Sequence, residues 1–100
     1  MLDKLSNTQL QAHIRTVSSD STRVAFTKHA LVRMKQRQIT RDMALEVLRK
    51  GRMIRAPERN LAKGSIECRM EKFLAGRDLA IVVALNDSDP DLIVITAMET

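Results

Sequence analysis

The sequence predicts an α+β domain: a helix pair packed on a three- to four-stranded antiparallel sheet, with an extra helix at the N-terminus. Three observations predict it. Apolar residues recur at helical spacing up to Gly51 and alternate after it. Thr27 and Thr40 stand as caps directly ahead of two helical patterns. Ala75-Gly76-Arg77-Asp78 reads as a hairpin turn between two strand patterns.

Leu2, Leu5, Leu10, Ile14 and Val17 predict a first helix over 6–17. The polar run 18–22 ends it, and 23–26 reads as a short strand or extended lead-in. The Thr27 hydroxyl can accept a free backbone N–H of the next helix, expected over 28–37. Phe26 and Leu31 bracket that start as a hydrophobic staple. Thr40 caps the following helix, with Asp42 at the positive end of its dipole and Arg49 and Lys50 at the negative end. Ala44, Leu45, Val47 and Leu48 form its apolar face, and Gly51 is expected just past its end.

Beyond Gly51, Met53 and Ile54 begin an expected strand that Pro57 stops. Residues 65–74 alternate: Ile66, Cys68 and Met70 point one way, Glu67, Arg69 and Glu71 the other. Residues 79–85 are apolar on both faces, as in a central strand. After an acidic turn over 86–91, residues 92–98 form a last apolar strand interrupted only by Thr96. Strands of this kind need cover on both faces, which the N-terminal helix or a dimer partner is expected to supply. The division expected is a helical extension over 1–22 and a single α+β domain over 23–100.

Composition narrows the function classes. The chain has 100 residues, a net charge of +5, one cysteine and no tyrosine or tryptophan. A single cysteine excludes a disulfide framework and a cysteine-based zinc site. Neither a metal nor a cofactor is expected, and Cys68 reads as a core residue. With no long apolar run and no signal-peptide core, a cytoplasmic protein without membrane attachment is expected. Charge is unevenly placed. Nine basic residues between Lys28 and Arg55 face only Asp42 and Glu46, whereas 86–100 holds four acids and no base. Such an excess favours polyanions or an acidic protein.

On a helix, His29, Arg33 and Arg37 fall at i, i+4 and i+8 and share one face. A stripe of potential cations is costly unless an anion sits among them, and guanidinium is a planar multi-donor suited to phosphate. Histidine is the side chain best suited to move protons near neutrality. Metal-free RNA cleavage needs a base for the 2′-hydroxyl and positive charge on the phosphorane. His29 with Arg33, Arg37 and Arg69 can supply both; the acid is not evident. The alternative is a solvated helical face.

The stretch FTKHALVRMKQRQIT, then VLRKG and a terminal LIVITAM, resembles the bacterial family catalogued as domain of unknown function 4258 over roughly Phe26 to Met98. That family looks related to the barnase/EndoU/colicin/RelE group of metal-independent ribonucleases, which includes many toxins. The resemblance implies a RelE-like fold and carries functional weight onto His29, Arg33, Arg37 and Thr96. The chain departs from RelE-type toxins in having no tyrosine near its end.

Two functions are therefore expected as alternatives. The first is a toxin-type, metal-independent endoribonuclease with catalytic His29, Arg33, Arg37 and Thr96, and with Lys28, Lys35, Arg41 and Arg69 contacting RNA. The second is a non-catalytic module that binds nucleic acid or an acidic partner protein. Expected partners are RNA, an acidic antitoxin-like protein and a second copy of the chain. A dimeric structural protein with an inert basic face stands behind both.

Overall fold

Each helix begins where a side-chain hydroxyl satisfies a free backbone N–H. In the computed structural model, which describes residues 4–60 and 62–100, Ser6 accepts from the Gln9 N–H at 3.2 Å and opens α1 (Asn7–Ser18). Gln9 Oε1 accepts in return from the Ser6 N–H at 2.9 Å, closing a capping box. Thr27 accepts from the Ala30 N–H at 3.0 Å and opens α2 (Lys28–Gln36). Thr40 accepts from the Met43 N–H at 3.0 Å and opens α3 (Arg41–Lys50). Leu2 lies outside the described residues. Helix α2 ends one residue earlier than its pattern suggests: Gln38 turns left-handed at φ 56°, which swings Ile39 into the core.

The sheet has five strands: β1 (Val24–Phe26), β2 (Glu58–Asn60), β3 (Ser65–Leu74), β4 (Arg77–Asn86) and β5 (Asp89–Glu99). Their spatial order is β1-β5-β4-β3-β2. Strands β2 to β5 are antiparallel, but β1 runs parallel to β5, with Val24 opposite Leu92. The expected antiparallel sheet of three or four strands is thus a five-stranded mixed sheet. The segment read over 23–26 as a short strand or lead-in joins as a parallel edge, and the other edge piece, Glu58–Asn60, is three residues long and too short to show a period. An Arg23–Asp91 ion pair at 2.9 Å fastens β1 beside the start of β5.

The strand expected at Met53 and Ile54 does not form. Arg52 alone bridges to Glu71; Met53 then packs toward the core, and the edge strand starts only past Pro57. The β3–β4 turn holds Ala75 and Gly76 at φ 55° and 76°, the twin positive angles of a tight hairpin matched to strand twist.

One apolar core lies between the helices and one face of the sheet. Leu10, Ile14 and Val17 of α1, Met34 of α2 and Leu48 of α3 meet Cys68, Met70, Ile81, Val83 and Val94 there. All three helices therefore share that face. The expectation that the N-terminal helix covers the second face is corrected: its apolar stripe joins the same core, and α1 packs on α3 and β5.

The carboxyl ends of α1 and α3 are neighbours, and each is capped by the other. Arg15 donates to the Gly51 carbonyl at 2.6 and 3.1 Å, and Arg49 donates to the Ser18 carbonyl at 2.6 Å. Guanidinium at a helix C-terminus satisfies free carbonyls and opposes the dipole. Gly51 is extended rather than left-handed, at φ −77°. Its reason is crowding: a Cβ there would stand 2.4 Å from the Val47 oxygen and 2.8 Å from the Glu71 oxygen. Among the described residues no helix is long and apolar enough to cross a membrane.

Candidate nucleic-acid interface

Strict alternation along β5 would send Leu92, Val94, Thr96 and Met98 to one face. The strand does not keep it. Val82 pairs with Thr96 while Val83 pairs with Val94, so Ile95 is one residue too many. This β-bulge turns Thr96 to the open face and lets Ala97 enter the core. Thr96 is polar because it leaves the core.

The bulge also anchors α2. The Thr27 N–H donates to the Val94 carbonyl at 3.1 Å, and the Thr27 hydroxyl donates to the Ile95 carbonyl at 3.3 Å. One threonine thus caps α2 and ties its first turn to the residue beside Thr96. Lys28 and His29 follow, both exposed. Thr27 serves the Ala30 N–H, and the positive end of the helix dipole lies at this turn.

The rest of the stripe is less open. Arg33 is half-buried and donates to Gln36 Oε1 at 3.3 Å. Arg37 donates to the Ala97 carbonyl at 2.7 Å and clamps the end of α2 to β5. Its own carbonyl accepts from Arg77 at 2.5 Å, and Arg77 also reaches the Gln38 carbonyl and Glu99. Lys35 is exposed at the surface of α2. Arg41 lies over the Phe26 ring, 5.1 Å from its centroid.

Arg69 is brought toward Thr96. The register runs Arg69–Val82–Thr96 across three strands, all on the open face. Both ends of this row line a hollow of about 250 Å³ whose rim includes Arg55, Glu58 and Glu67. Arg69 Nε lies 3.4 Å from Glu71 Oε2, but its buried N–H has no hydrogen-bond acceptor among the described residues. His29, Arg33 and Arg37 do not line that hollow.

The structure redistributes the charge seen in the sequence. Arg37 and Arg49 serve carbonyls, Arg41 covers a ring and Lys50 pairs with Glu46 at 3.4 Å. In the acidic end, Asp91 and Glu99 pair with Arg23 and Arg77. The outward basic residues that remain on and after α2 include Lys28, Lys35, Arg52 and Arg55. Sequence reasoning missed Glu67 and Arg55 at the hollow. Alternation already put Glu67 on the side of Arg69, whereas Arg55 sits in an irregular segment that no periodicity reports. Among the described residues no three His, Cys, Asp or Glu side chains group closely enough to hold a metal ion.

A family model described as Domain of unknown function (DUF4258) matches residues 26–99. No curated protein and no solved structure matches.

Proposed function

We propose, for a chain that belongs to the DUF4258 family, that this small α+β domain acts on RNA through the first turn of α2. The observation that carries the reading is the exposed Lys28-His29 pair in the first turn of α2, where the positive end of the helix dipole favours a phosphate. Arg33, one turn further on, extends the positive surface, and Lys35 adds to it. Arg37 holds the helix to β5. Thr96 and Arg69 stand on the far side of the bulge to which that turn is tied.

In the toxin-type, metal-independent endoribonuclease reading, His29 takes the proton of a ribose 2′-hydroxyl. The 2′-oxygen then bonds to phosphorus, the bond to the 5′-oxygen breaks, and water protonates the leaving oxygen. Products are a 2′,3′-cyclic phosphate and a 5′-hydroxyl. Arg33 offsets the charge that develops on the phosphorane.

The second reading, a non-catalytic module, is favoured by a specific observation: Arg37 is already committed to Ala97. Incubating the purified protein with RNA, with and without chelator, separates the two. Chelator-resistant cleavage lost in His29→Ala supports the nuclease. Salt-sensitive RNA binding without turnover selects the module. Absence of both removes RNA from the account.

A further inference from the structure

A second surface lies where α3 leaves the sheet, and it shares no residue with the α2 site. Arg52 exchanges two backbone hydrogen bonds with Glu71, at 2.9 and 2.8 Å. On an antiparallel strand the backbone groups of alternate residues point to the same edge. The N–H and C=O of Phe73 therefore also point outward, past the last residue that bridges this edge. There the end of α3, the Arg52 segment and the ends of β3 and β4 line a groove of about 560 Å³.

The groove is apolar and basic. Phe73 is 65% exposed and Ile54 71%, two of the four large exposed hydrophobics among the described residues. Neither serves the core. Lys50, Arg52 and Lys72 line the same groove against two carboxylates, Glu71 and Asp78, and Lys50 also pairs with Glu46 at 3.4 Å. Glu71 is drawn toward Arg69 on the open face, at 3.4 Å. With both of those pairs set aside, Arg52 and Lys72 stand against Asp78, and the lining stays net positive.

We propose that this groove docks an extended acidic segment of a partner protein. Such a segment would add main-chain hydrogen bonds at Phe73 and set an apolar side chain against Phe73 and Ile54. Its carboxylates would face Lys50, Arg52 and Lys72. A second copy in the same pairing would bring a matching set of cations, which repel. Nucleic acid fits less well: Ile54 has no π face on which a base can stack, and outward peptide groups match a strand.

The test uses a fluorescein-labelled octapeptide of alternating glutamate and valine, followed by anisotropy, and amide NMR of the whole chain. The expected result is binding at low salt that weakens as salt rises, with the largest shifts and slowed exchange at Phe73 and its neighbours. Phe73→Ala and Arg52→Glu each weaken binding about tenfold or more. Both side chains are exposed, so the variants keep their far-ultraviolet circular dichroism; if either fails to fold, the amide map of the unaltered chain decides. His29→Ala leaves peptide binding unchanged, so failure here and failure of the RNA reading are told apart. The proposal is overturned by no salt-sensitive binding, by equal binding of a lysine–valine octapeptide, or by shifts centred on α2. Oligouridine perturbing the Phe73 amide where the acidic peptide does not overturns it too.

Discussion

Arg37 and Ala97 are joined by a 2.7 Å hydrogen bond from guanidinium to carbonyl, sixty positions apart in the chain. The bond separates two members of one basic stripe. His29 faces solvent at the start of α2, while Arg37 fastens its end.

Arg37→Ala is therefore expected to destabilise the fold by about 1–2 kcal/mol, the worth of a half-buried charged hydrogen bond. His29→Ala is expected to change stability by less than about 0.5 kcal/mol. Denaturant unfolding followed by circular dichroism measures both, because the chain has no tryptophan or tyrosine to report by fluorescence. Equal losses in the two variants would contradict the division of labour.

Thr96→Val tests the bulge. The side chain is on the open face, so the swap is expected to cost about 1 kcal/mol at most. If the hydroxyl contacts phosphate, RNA affinity or turnover falls while the melting curve stays in place. A large loss of stability with unaltered RNA handling would make Thr96 structural only.

Gly51→Ala is expected to be severe. The added methyl would meet two backbone oxygens, at 2.4 and 2.8 Å, that cannot retreat without opening the α3 end or the Arg52–Glu71 bridge. A loss of about 3 kcal/mol or more is expected, in the range of overpacked sites. Measured destabilisation below about 1 kcal/mol would show that the junction yields.

Cys68 gives a pH dependence. Burial pushes its thiol up to about 11 from an ordinary 9.0, partly opposed by Arg59. The folded state therefore holds the proton where the unfolded chain releases it. The stability it contributes is complete below pH 9.0 and is lost as pH rises through about 11. The full effect is about 2–3 kcal/mol. Comparing wild type with Cys68→Ala across this window isolates it, and native Cys68 should resist alkylation at neutral pH. Parallel pH profiles in the two proteins would refute the assignment.

The helices were legible in the sequence because their signals are local. Thr27 and Thr40 cap where their spacing says, and Leu10, Ile14 and Val17 bury as their period implies. β3 and β4 were legible through alternation and the Ala75-Gly76 turn. Val24–Phe26 forms where a short strand or lead-in was read, but its parallel pairing with β5, and the strand at Glu58–Asn60, depend on a long strand alongside, a relation no local window holds. Thr96 stood out as the one polar residue in an apolar run. Its direction depended on a register slip against Val82 and Val83, which spacing along β5 alone does not contain. The basic excess was visible, but its spending on carbonyls by Arg37 and Arg49 was not, since both acceptors are backbone atoms far along the chain.

The arginine exchange between α1 and α3 crosses the boundary that ancestry draws. The shared family span starts at residue 26, yet Arg15 closes one helix end inside that span and relies on Arg49 to close its own. A fragment trimmed to residues 26–99 would leave the α3 terminus bare and wet the flank where Leu10 and Ile14 now sit. The packed core of this polypeptide thus reaches further towards the N-terminus than the family span does.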